Sequence, residues 1–185
     1  MPSLRHLRIL PGLLCGALCI AGAVRADVLT PATSIAATPG RAQDLPVANR
    51  VVVHKSARRM ELLHNDEVLR TFHVSLGLAP TGHKERSGDF RTPEGRYYLT
   101  TRNARSDFFL SIQVSYPNQR DVRNARENGW DPGGAIMIHG MPNQLRREPE
   151  YYIRDWTDGC IAVSNSDMIE IWLLTQNNTP IDILP

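Results

Sequence analysis

Two reactive side chains stand beside glycines in this sequence: Cys160 in "DWTDGCIAVSN" (residues 155–165) and His139 in "AIMIHG" (residues 135–140). A thiol is a strong nucleophile only as thiolate, and a neighbouring imidazole takes its proton and holds the resulting charge as an ion pair. Gly140 and Gly159 allow tight turns and close approach of a substrate. The peptide N–H groups of Gly159 and Cys160 are candidate donors to a tetrahedral oxyanion. A second reading stays open at this point, because a free cysteine is often a small buried hydrophobe. A Cys and a His at the ends of neighbouring strands suggest nucleophilic chemistry without specifying it.

The elements that must hold this pair are mostly strands. "RVVVHK", "RMELLHN" and "EVLRTFHVSLG" are short β-prone runs separated by turn-like stretches around 56–59 and 65–67, a pattern that predicts an antiparallel meander. Strand character resumes at Arg96–Thr101 and in "FFLSIQVSY", while "NQRDVRNARENG" reads as a polar loop with at most a helical turn. "AIMIHG" is a short buried strand ending at His139, and "GCIAVS" another starting at Cys160. The stretch between them, "MPNQLRREPEYYIRDWT", is loop or short helix. Ser164, Asn165 and Ser166 stand where an N-cap is wanted, ahead of the apolar residues of "MIEIWLL", so a helix follows. The final "TPIDILP" reads as an edge strand. The fold class is therefore mainly β with short helices, an α+β domain spanning residues 49–185.

The N-terminal segment has another character. Residues 1–26 carry basic residues, an apolar run from Ile9 to Val24 and a small-x-small site at Val24–Ala26, the layout of a secretory signal peptide. The run is broken by Pro11 and falls short of the roughly 20 residues a membrane span needs, so no span is expected after cleavage. Residues 27–48, rich in Ala, Pro and Thr, read as a linker. Cleavage would remove Cys15 and Cys19 and leave Cys160 alone, and an unpaired cysteine in an exported protein calls for a reason. It would also remove Arg5, Arg8 and Arg25 from a chain of 21 basic and 19 acidic residues. The nearly neutral remainder has no basic run of the kind that tracks nucleic acid, so no nucleic-acid partner is expected.

The spacing of "IHG" (138–140) and "TDGC" (157–160) resembles the active-site signature of the L,D-transpeptidase (YkuD) family, a histidine followed at this distance by Ser or Thr, usually His, then Gly-Cys. Upstream, "SGDFRTPEGRY" (87–97) resembles that family's Gly-Asp-x-x-Thr-Pro-x-Gly segment, and the resemblance covers about residues 50–185. It implies a mostly β catalytic domain of the bacterial envelope, possessing no cofactor, with Cys160 as nucleophile and His139 as general base. The implied substrate is a peptidoglycan tetrapeptide stem: attack at the L-centred diamino acid releases D-alanine and leaves a thioester. A stem amine or a lipoprotein lysine then gives transfer, and water gives a carboxypeptidase. A wall-binding domain lacking catalysis is the rival reading.

Two positions depart from the signature. Asp158 replaces the usual second histidine, and Ala162 stands where a polar residue often follows. Asp158 would either orient His139, receive a stem ammonium, or only shape the turn. Thr157, Gly140 and Trp156 are further candidates for orienting the pair or binding substrate, with Trp156, Trp130, Tyr151 and Tyr152 read as lid or packing aromatics. Arg91, Thr92 and Gly95 read as the turn beneath the site, and His54, His64, His73 and His83 as structural or solvated. A zinc site built from His83, Asp89, His139 and Asp158 lacks any ligand pair at helical or C-x-x-C spacing, so no metal is expected.

Overall fold

The computed structural model describes residues 46–144 and 154–185. The expected signal segment, most of the expected linker and the pair Tyr151 and Tyr152 lie outside them. Three strands open the domain: β1 (Arg50–His54), β2 (Arg59–His64) and β3 (Glu67–His73). They pair antiparallel in sequence order, as the alternation predicts. Asn65 and Asp66 both adopt positive φ (50° and 67°), the backbone a tight two-residue hairpin needs to match the twist of its strands.

A long strand, β4 (Gly95–Ser106), then runs into β5 (Phe109–Val114), followed by helix α1 (Gln119–Glu127), β6 (Met137–His139), β7 (Ile161–Ala162), helix α2 (Asn165–Leu174) and β8 (Pro180–Leu184). The strands form one mixed sheet in the order β3-β2-β1-β8-β4-β5-β6-β7. Residues Gly95–Tyr98 of β4 pair with β8, whereas the part from Leu99 onward pairs with β5 through two irregular steps that re-aim the strand.

Two expectations need correction. The "TPIDILP" strand lies at the centre of the sheet, parallel to β1 and antiparallel to β4. Pro180 is tolerated because it is the first residue of the strand, and Asp182 is held from both sides, by Arg50 at 2.9 Å and by Arg96 at 2.7 Å. "NQRDVRNARENG" is a full helix. Asn118 accepts the N–H groups of Arg120 and Asp121, and Asp121 accepts the Asn118 N–H in return, a reciprocal cap written with Asn and Asp.

The core joins both halves of the sheet. Val51, Val53, Ile181, Ile183, Leu99, Ile112, Ile138 and Ile161 are fully or almost fully buried, and α2 adds Met168 and Ile171. Each such side chain contributes about 1.5–3 kcal/mol by leaving water. Ser164 caps α2 through the Asp167 N–H, at the position the sequence indicates.

Candidate active site

β6 and β7 lie parallel with Ile138 opposite Ile161 and His139 opposite Ala162. Successive residues of a strand point to opposite faces. The two isoleucines enter the core, which sends His139 and Ala162 to the other face; Cys160, two residues before Ala162, shares it. Both reactive groups open into one cleft of about 530 Å³, whose wall also includes Trp156, Thr157, Asp158 and the β4–β5 hairpin.

His139 is 4% exposed. Its Nδ1 lies 2.7 Å from the Gly140 carbonyl, which only accepts, so Nδ1 carries the proton and Nε2 of the neutral ring is left as the acceptor. Phe108 packs 4.6 Å from the ring and Trp156 5.6 Å from it edge-on. Burial pushes the His139 pKa below its ordinary value, and the Gly140 bond opposes that only in part. The ring therefore stays neutral further into the acid range than a free histidine.

The Cys160 thiol lies 3.5 Å from the Ala135 carbonyl. Burial raises its pKa, as does the Asp158 carboxylate to a smaller extent, while the Met137 N–H and the Lys84 ammonium act against them. Burial thus disfavours both imidazolium and thiolate. This works against the ion pair that the motif suggests.

The turn before Cys160 is held by Thr157. Its hydroxyl donates to the Cys160 carbonyl at 2.7 Å and accepts the Gly159 N–H at 3.1 Å. The Gly159 N–H is thereby occupied, which corrects its assignment as an oxyanion donor. Gly159 has φ +129°, and a Cβ there would lie 2.6 Å from the Arg91 carbonyl. Gly140 has a different reason: a Cβ would lie 2.6 Å from Asn165 Oδ1, which caps the Met141 N–H at the start of α2.

Asp158 is exposed on the cleft wall. The orienting bond to Nδ1 comes from Gly140, so Asp158 does not make it. Trp156 stands against the His139 ring as a packing aromatic, whereas Trp130 stacks with Arg86 at 5.5 Å and is not among the cleft residues.

The "SGDFRTPEGRY" segment is a buttress behind the turn. Asp89 is nearly buried; burial alone would raise its pKa, but the Lys84 ammonium at 2.7 Å and the N–H groups of Glu85, Arg86 and Arg91 bring it down to about 2. Thr92 accepts the Gly77 N–H, Arg91 reaches Glu85 at 3.2 Å, and Gly95 opens β4 at φ +127°. His83 accepts the Glu94 N–H, faces Asp121 at 3.2 Å and is not among the cleft residues. His54 faces Glu61, and His64 meets the Val47 carbonyl. Among the described residues no group of three His, Cys, Asp or Glu side chains could hold a metal.

Sequence reasoning did not single out Phe108, Arg105, Asp107 or Asn143. The only signal for Phe108 was the paired aromatic in "SDFFLS", which reads equally well as plain strand.

Comparisons agree with this architecture. Residues 48–183 match the L,D-transpeptidase catalytic domain (YkuD) family. YafK of Escherichia coli strain K12 is 28% identical over 120 residues, 64% of this chain and 39% of YafK, so the chain spans about two fifths of the length of the curated relatives it matches. A variant of the helical cell shape determining protein Pgp2 of Campylobacter jejuni superposes with TM-score 0.57 at 24% identity, over 74% of this chain and 46% of the other. Bd1075 of Bdellovibrio bacteriovorus gives 0.51 at 21% identity, over 76% and 51%. These likenesses establish a shared fold.

Proposed function

The chain belongs to the L,D-transpeptidase catalytic domain family, and on that premise we propose that it is a cysteine acyltransferase acting on peptidoglycan tetrapeptide stems in the bacterial envelope. Cys160 Sγ attacks the carbonyl carbon of the L-centred diamino acid while His139 Nε2 takes the thiol proton. Proton transfer and attack go together, since burial disfavours the separated charges beforehand. The oxyanion is received by the Cys160 N–H, because the Gly159 N–H is committed to Thr157. When the tetrahedral adduct collapses, the C–N bond to D-alanine breaks and the His139 imidazolium returns its proton to the leaving amine. The resulting thioester is then attacked by an amine or by water, which His139 deprotonates; the C–S bond breaks, and the proton held by His139 returns to Cys160 Sγ to restore the thiol.

The observation that carries this reading is that His139 and Cys160 share one face of β6–β7 in one cleft, with Nε2 left as the proton acceptor. Asp107 and Asp158 on the cleft wall suit an incoming ammonium, either of a stem or of a lipoprotein lysine, and Arg105 suits a carboxylate. Export fits the layout of residues 1–26, and among the described residues no helix is long and apolar enough to cross a membrane.

The test incubates the protein with disaccharide tetrapeptides, with and without amine acceptors, and identifies products by mass spectrometry. The wild type should release D-alanine and form an intact-mass adduct with a carbapenem. Cys160→Ala should fold and do neither, and His139→Ala should turn over about a hundredfold or more slowly. Stem turnover by Cys160→Ala would overturn the assignment. Transfer products would mark a transpeptidase; hydrolysis alone would mark a carboxypeptidase.

A further inference from the structure

Phe108 covers His139, yet it sits at the tip of a hairpin that reaches over the cleft. The turn Ser106–Phe109 includes a non-glycine residue at positive φ, Phe109 at 66°, and Phe108 itself is 36% exposed. Such a tip is held by its hydrogen bonds more than by burial. Three of these come from one residue. Asn143, three positions beyond Gly140, donates its backbone N–H to the Asp107 carbonyl at 2.9 Å and its Nδ2 to the Ser106 carbonyl at 2.9 Å. Its Oδ1 accepts the Phe109 N–H, also at 2.9 Å.

This use of a carboxamide is specific. One side chain must both donate and accept across the same turn, which Asn does at the correct length; Asp retains only the acceptor and Ala neither. Asn143 is exposed and is not among the residues lining the cleft, so it has no contact with the reacting atoms. It shares a short segment with His139 and Gly140, and clasps the hairpin that carries Phe108 back onto that same histidine. We propose that Asn143 is a positioning residue for the base: it ties the β4–β5 tip to the segment after β6, so that Phe108 stays over the His139 ring, excludes water from it and keeps Nε2 turned toward the cleft. The inference rests on His139 acting as the base.

The test compares the full chain with Asn143→Ala, Asn143→Asp and Phe108→Leu. Two readouts are used: the His139 titration, followed by NMR of its ring Cε1–H, and the pH profile of Cys160 acylation by a carbapenem. Opening the ring to water should raise the His139 pKa toward the ordinary histidine value in Asn143→Ala and in Phe108→Leu, with Asn143→Asp between Ala and wild type. Acylation should fall about tenfold, most strongly on the acid side, where a base of raised pKa is protonated. The proposal is overturned if Asn143→Ala keeps the wild-type His139 titration, whatever happens to its stability. If Asn143→Ala does not fold, Phe108→Leu decides in the same way, an unchanged titration overturning the role. The NMR readout is independent of the substrate: a wild type that no carbapenem acylates would sink the proposed function while leaving the clasp itself measurable.

Discussion

Replacing Thr157 by Val isolates the hydroxyl that holds the turn before Cys160, because the two side chains have nearly the same shape and no cavity results. Thr157 is buried, and its hydroxyl serves two backbone groups at once, the Cys160 carbonyl at 2.7 Å and the Gly159 N–H at 3.1 Å. Losing a buried partner costs about 1–3 kcal/mol for each group left unsatisfied, and water can relieve part of this at the cleft side, so the sum is about 2–4 kcal/mol. For a domain of this size that corresponds to a Tm lower by roughly 6–15 °C. Urea unfolding followed by tryptophan fluorescence measures the loss, and carbapenem acylation measured below the transition gives the second readout. Acylation should slow, because the hydroxyl fixes the peptide units on either side of the one whose Cys160 N–H is the proposed oxyanion donor. Thr157→Ser keeps the hydroxyl and should restore most of both properties. A Val variant within about 0.5 kcal/mol of wild type that acylates normally would refute the reasoning, since that is the range of an ordinary surface change. A Ser variant as damaged as Val would shift the cause to the methyl group.

Asp89→Asn should destabilise the domain by about 3–5 kcal/mol at neutral pH, because it leaves the Lys84 ammonium buried opposite a neutral group. The wild-type carboxyl titrates lower when folded, at about 2, than when unfolded, so its contribution is present above the unfolded value and is lost as pH falls toward 2; the stability gap between wild type and variant should close over that window in acid-unfolding curves. Asp158→Asn should leave carbapenem acylation nearly unchanged, since Gly140 already orients His139, but lower the ratio of amine transfer to hydrolysis. A slowed acylation in that variant would instead indicate a link between Asp158 and the base.

The placement of His139 and Cys160 in one cleft was legible because its signals are local: a strand ending in His-Gly and one entered through Gly-Cys fix where both side chains stand. The meander was legible for the same reason, through short alternating runs and turn residues. β8 was misplaced because a short strand opening with proline carries no local mark of its neighbours; only the arginines flanking Asp182 on both sides identify it as central, and they lie 132 and 86 residues away in sequence. α1 was underestimated because its cap uses Asn118 and Asp121 and its only apolar residues are Val122 and Ala125, too few for a visible period. In the site, Gly140 could be flagged from sequence but not explained, since the atom that excludes a side chain there belongs to Asn165. The desolvation that works against an ion pair was not legible, because it depends on Phe108, Trp156 and the strands around them, none of which a two-residue motif reports.

The central position of β8 also bears on when the domain becomes able to act. In the strand order the meander and the sheet half that carries His139 and Cys160 are joined by this strand, which follows Cys160 in sequence by some twenty residues; the segment after β3 makes a second junction, where Ser75 bridges to Ala162 and Gly77 to Thr157. While the polypeptide is still being made, β1 lacks its parallel neighbour and β4 lacks its partner over Gly95–Tyr98, so the part of the core that Ile181 and Ile183 fill stays open. Joining β1 to β8 encloses nearly the whole domain in one loop, the kind of distant pairing associated with folding in milliseconds to seconds rather than microseconds. Cys160 is therefore synthesised before the strand that completes the sheet, and a chain cut short after α2 would keep the β5-β6-β7 pairings around His139 and Cys160 but leave β1 and β4 without the strand between them.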